Sequence, residues 1–197
     1  MKISSYGRIG KAQLDNDSQT PKWVGSMLVA AVVRFFCPVL LVVLSVIPAM
    51  AAPVDQAFRQ GLSAYHSGDY QKAMKIWLPL AQKEDAAAQA GIGFMYHRGM
   101  GVVTDNDKAA YWLRKAAEHG QPEGQFMLGS LYFYGTGVEK SYVQAYAWCD
   151  LAQDGGNADA QSCRDAALQS LKSKDDVKTA FRLSVDLHQR FGRAGRK

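Results

Sequence analysis

One stretch of this chain repeats itself. Residues 86–121 and 122–157 align without a gap. Ile92-Gly93 meets Leu128-Gly129, and Met95-Tyr96 meets Leu131-Tyr132. Gly99-x-Gly101-Val102 meets Gly135-x-Gly137-Val138, and Gly120 meets Gly156. Ala109, Trp112 and Ala116 meet Ala145, Trp148 and Ala152. Such a period marks stacked units, each of which buries its apolar face only against its neighbours.

Each unit predicts helix, loop, helix. Ala88, Ile92 and Met95-Tyr96 recur at helical spacing and form one apolar stripe. Gly93 and Gly129 lie inside that stripe. Glycine there costs about 1 kcal/mol against alanine, so a neighbouring helix is expected to approach closely. The Gly-x-Gly-Val loop ends the first helix, because glycine accepts positive φ without a Cβ clash. Asp105 and Ser141 are expected to cap the second helix. On that helix alanines bracket Trp112 and Trp148, which are expected to fill the space between helices. Trp77, Tyr96 and Tyr132 are placed in the same core register.

Residues 53–85 resemble the unit with a shorter loop. Gly61, Gly68, Tyr70, Ala73, Trp77, Leu80 and Asp85 follow tetratricopeptide spacing. Residues 158–191 open like another unit but lack the Gly-x-Gly loop, and Lys174-Asp175-Asp176 marks the start of a partner helix. A polar, degenerate last unit protects the open end of a repeat array. The expected fold is all-α: an α/α superhelix, or solenoid, of about four helix-loop-helix repeats.

The L-G-x-x-Y-x-x-G-x-G-V … A-x-x-W-x-x-x-A-A-x-x-G pattern resembles the Sel-one-like repeat family, relatives of the tetratricopeptide repeat. The resemblance implies an α/α superhelix that binds proteins and scaffolds complexes. In bacteria it implies export and work in envelope assembly, signalling or host contact. A cysteine-rich branch of that family is described as hydrolysing β-lactams, but it spaces its cysteines Cys-x7-Cys. This chain has one Cys-x13-Cys pair, so a β-lactamase-like hydrolase is the lesser alternative.

Residues 1–51 read as a leader. A basic flank precedes an uncharged apolar run at residues 35–47, and Pro48-Ala49-Met50-Ala51 follows. These are the parts of a secretory signal, with the cut expected after Ala51. Starting at Met27 would give a signal of ordinary length. The alternative is an inner-membrane anchor through residues 24–52, although Arg34 interrupts it and the uninterrupted run is short for a membrane span. The expected location is periplasmic or secreted. Cys149 and Cys163 are the two cysteines of the mature chain, and an exported chain makes them a disulfide candidate. They lie seven residues either side of Gly156, hence at one height on antiparallel helices. Height leaves open whether they bridge or stay two reduced thiols.

Charge and motifs exclude several functions. The net charge is +5, and residues 1–51 hold five bases against two acids. The nearly neutral remainder argues against a nucleic-acid binder, and Arg190, Arg193, Arg196 and Lys197 read as a solvated basic tail. His66, His97, His119 and His188 show no metal spacing, and the Gly-x-Gly pairs lack the context of a dinucleotide loop. No nucleophile motif is present in the mature chain. Neither cofactor nor metal is expected.

What remains is a surface. Phe94 stands opposite Ser130 in the repeat alignment, and His97 and Arg98 stand opposite Phe133 and Tyr134. The repeat does not require these large variable residues. They serve either inter-repeat packing or a concave binding face built from first helices. The binding reading predicts a groove formed by Phe94, His97, Arg98, Ser130, Phe133 and Tyr134, with aromatic area for a protein or peptide and Arg98 favouring an acidic one.

Overall fold

A computed structural model describes residues 52–192, with side chains from Gln56 onward. The leader, its expected cleavage point and Arg193, Arg196 and Lys197 lie outside the described residues. The described residues form eight helices: α1 (Ala52–His66), α2 (Tyr70–Gln82), α3 (Ala86–Arg98), α4 (Asn106–Glu118), α5 (Pro122–Tyr134), α6 (Tyr142–Asp154), α7 (Ala160–Ser170) and α8 (Lys174–Phe191). Each helix from α1 to α6 packs on the next, and α3 also touches α5 as α5 touches α7. That order gives an all-α repeat solenoid. None of these helices is long and apolar enough to cross a membrane.

The helix ends follow from the sequence. Asp85, Asp105 and Ser141 accept backbone N–H bonds from Ala88, Lys108 and Gln144 and so cap α3, α4 and α6. Gly99 and Gly135 close α3 and α5 at φ 68° and 73°, the left-handed region where a side chain is strained. The second glycine of each loop makes the stacking contact. A Cβ on Gly101 would stand 2.7 Å from the Tyr70 carbonyl carbon, and one on Gly137 would strike the Asn106 carbonyl oxygen. Tyr70 and Asn106 each open the second helix of the preceding hairpin, so these loops set the distance between hairpins.

The core departs from the expected tryptophan register. Trp77 is almost fully buried between α1 and α3, where Gly61 and Gly91 leave it room, and its indole N–H donates to the Phe58 carbonyl at 3.1 Å. Its repeat equivalents are Leu113 and Cys149, not Trp112 and Trp148. Leu113 and Cys149 are fully buried and occupy the space left by Gly93 and Gly129. Trp148 is buried among Leu151, Leu187 and Phe191, whereas Trp112 is only half-buried. The reason is rotational: the repeat position of Trp112 lies one residue to the side of the fully buried seam, and only Trp148 has α8 to cover it.

The last unit keeps two helices but pairs them differently. Both α7 and α8 dock on α6. Trp148 stacks on Phe191, the last residue of α8, with ring centroids 5.8 Å apart, and the Ser184 hydroxyl donates to Asp150. His188 Nε2 lies 2.9 Å from Asp154. Cys149 and Cys163 are joined as a disulfide, with Cα atoms 6.0 Å apart, which ties α6 to α7.

Candidate partner-binding groove

The first helices of three hairpins build one groove. Phe94, His97 and Arg98 from α3 and Ser130 and Tyr134 from α5 line a cavity of about 220 Å³. Glu123, Phe126 and Met127 complete its α5 wall. Phe94, Glu123 and Met127 also line a second cavity of about 300 Å³, walled on the far side by Phe58, Leu62 and Tyr65 of α1. The two cavities therefore share a wall and run across α1, α3 and α5.

Helical spacing explains the convergence. Phe94 and Arg98 lie four apart, as do Ser130 and Tyr134, so each pair projects on one side of its helix. The Arg98 guanidinium sits 5.7 Å from the Phe94 ring centroid, which keeps a positive charge over an aromatic face. Phe94 meets Tyr65 edge-on at 6.4 Å. Burial, then the neighbouring Tyr70, pushes the Tyr65 phenol above its usual range, and Arg98 partly offsets this. The phenol points at Met100 Sδ, 3.5 Å away. Tyr134 stands 72% exposed at the rim, its ring edge-on to Phe133 at 5.0 Å.

Phe133 is the exception. It does not join Phe94. It meets Tyr142 at 5.3 Å and packs against the cluster of Tyr146, Ala167 and Ala180. Its equivalent His97 explains why: a His97 ring nitrogen lies 3.1 Å from Asn106 Oδ1, and Asn106 is the repeat partner of Tyr142. The same position meets the start of the following helix in both units, once as a polar pair and once as an aromatic pair. Ser130 is also less available than expected, because its hydroxyl donates to the Phe126 carbonyl at 3.0 Å. Glu123, exposed like Arg98, accepts from the Asn157 amide at 2.7 Å, so the groove carries one carboxylate and one guanidinium.

Repeat arithmetic alone missed the α1 wall and Glu123 and Met127 of α5. Phe126 carried a signal, since a phenylalanine stands where the preceding unit has Ala90. The α1 wall carried none, because the loop deletion hides which of its residues share the face.

A model of the Sel1 repeat matches residues 86–121 and 122–157. The chitin synthase regulator SKT5 of Saccharomyces cerevisiae is 29% identical over 117 residues, covering 56% of this chain and 16% of that protein. The ERAD-associated E3 ubiquitin-protein ligase component HRD3A of Arabidopsis thaliana is 40% identical over 71 residues, covering 36% of this chain and 10% of that protein. The chain thus spans less than a fifth of either relative. Among solved structures, a protective antigen of uropathogenic Escherichia coli displaying an SLR fold superposes with a TM-score of 0.69 at 30% identity, over 75% of this chain and 32% of that one. A Sel1 repeat protein from Oxalobacter formigenes superposes with a TM-score of 0.54 at 28% identity, over 66% of this chain and 55% of that one. The chain carries two Sel1 repeats, placed at the centre of an all-α solenoid.

Proposed function

We propose that this protein is a non-catalytic, exported adaptor that holds a protein or peptide in the groove across α1, α3 and α5. The observation that carries the reading is the meeting of Phe94, His97, Arg98, Ser130 and Tyr134 on one groove with an apolar floor. The repeat does not require large side chains at Phe94, Arg98 and Tyr134, and these three border the open space between first helices. The relatives support the same role, since one is a regulator of a synthase and another a component of a ligase. Export is supported by the apolar run at residues 35–47 and the small residues Ala49 and Ala51. The partner presents an apolar segment with an acidic residue placed for Arg98. It belongs to an envelope complex in which this chain is a scaffold.

The test is partner capture from the native envelope by the Phe94→Ala/Arg98→Glu variant. Capture is expected to fall at least tenfold while helicity is retained. Unchanged capture by a folded variant would remove the groove from the account. A Tyr111→Ala variant on the outer helix α4 serves as the control.

A further inference from the structure

A further cavity, away from the groove, is lined by a glutamine that has one hydrogen-bond partner fewer than its repeat equivalent. Gln89 and Gln125 are equivalent, and both are almost completely buried. In each, the side-chain N–H donates to a carbonyl of the preceding helix: Gln89 to Ala81 at 3.0 Å, and Gln125 to Ala117 at 3.1 Å. The first glutamine also uses its oxygen, since His119 Nδ1 lies 2.9 Å from Gln89 Oε1. One repeat later the histidine is replaced by Gly155. Among the described residues no donor reaches Gln125 Oε1. With its nitrogen held on Ala117, that oxygen faces a cavity of about 400 Å³ between α5, α6 and α8.

The walls suit a planar ring. Pro122, Leu151 and Phe191 give apolar faces, and Asp154 gives a carboxylate already fixed by His188. The glycine is not there for backbone reasons, since its φ of −73° and ψ of −7° are open to any residue and close to those of His119. What keeps the position empty is Pro122, whose Cγ would lie 2.7 Å from a Cβ on Gly155. The preceding unit has Ala86 where this one has Pro122, and there the histidine fits. Gln125 Oε1 borders the cavity without a donor from the protein, so a ligand that supplies an N–H there completes the pattern of the preceding unit. The volume lies in the range of small-ligand sites.

We propose that this cavity binds an imidazole-class ring whose N–H donates to Gln125 Oε1, in the place that His119 fills one repeat earlier. The ring comes either from a free heterocycle or from a histidine side chain of a partner. The test is titration of the purified protein followed by the side-chain amide signals of Gln125 and the backbone signal of Gly155. The probes are imidazole, 1-methylimidazole and N-acetylhistidine methylamide. The pH is set well above the usual histidine value of about 6.5, so that all three rings are neutral.

Imidazole is expected to give saturable shifts confined to this cavity, and 1-methylimidazole, which has no N–H to donate, to bind at least fivefold more weakly. Tighter binding of the blocked histidine assigns the ring to a partner, and tighter binding of imidazole assigns it to a small molecule. The Pro122→Ala/Gly155→His variant is expected to lose the response and melt at a higher temperature. Equal response to imidazole and 1-methylimidazole, or shifts that never saturate, would overturn the site even if the variant failed to fold.

Discussion

Gly93 shows what a single position carries. A Cβ there would stand 2.7 Å from Leu113 Cγ and 3.1 Å from the Leu113 backbone nitrogen. The backbone atom cannot swing away, so Gly93→Ala is expected to destabilise by about 1–3 kcal/mol through overpacking, read as a lower urea midpoint. The sequence revealed that such glycines mark a close approach, but not which residue approaches. A repeat states that positions are equivalent and is silent on which of two adjacent positions faces inward. That is why Trp112 and Trp148, and not Leu113 and Cys149, are the residues expected from the sequence to fill the space between helices. Trp148→Ala is accordingly expected to cost about 3–5 kcal/mol, and Trp112→Ala at half-burial clearly less. Equal losses in paired denaturation curves would contradict the register described here.

The caps also respond to pH. The Lys108 side chain, and then its backbone N–H, holds the Asp105 carboxyl below the usual carboxylate range. A group with a depressed folded value stabilises above its unfolded value of about 3.9 and loses that contribution as pH falls through the folded value. The protection factor of the Lys108 amide, taken against its intrinsic exchange rate at each pH, is therefore expected to fall below about pH 4, and Asp105→Asn to flatten that dependence.

At the scale of elements, the helices and their caps were legible because each boundary has a local cause. The terminal pair was legible only as two helices. Its docking depends on Trp148 meeting Phe191 and on Asp150 and Asp154 meeting Ser184 and His188, contacts distant in sequence that no period encodes. The disulfide lies here too. Equal height of Cys149 and Cys163 was readable, but facing depends on how α7 rotates against α6. Closing a loop with a sequence separation of 14 stabilises by about 3 kcal/mol in the chain-entropy view. Mass spectrometry after alkylation without reductant is expected to show no label on either cysteine. Reduction is expected to lower the melting temperature, with α7 exchanging first.

For the whole molecule, the solenoid was readable from one repeated stretch, and most of the candidate groove from what that repeat leaves variable. The aromatic Phe133 was misplaced because variability alone does not separate inter-repeat packing from an open face. The groove's third wall comes from α1, whose unit is the least regular. The leader predicts an amino terminus at Ala52, checked by sequencing the mature protein; retention of residues 35–47 would make it an anchored scaffold.

The central claim is that partners seat on first helices and not on second helices. It is tested most directly by photo-crosslinking in the native envelope, with the crosslinker placed in turn at Tyr134 on the groove rim and at Tyr111 on the outer helix. Both positions are exposed, at 72% and 54%, so accessibility alone does not separate them. A discrete adduct from Tyr134 that disappears in the Phe94→Ala/Arg98→Glu background, with none from Tyr111, is the predicted result. An adduct from Tyr111 alone, or one from Tyr134 that survives the groove substitutions, would contradict it.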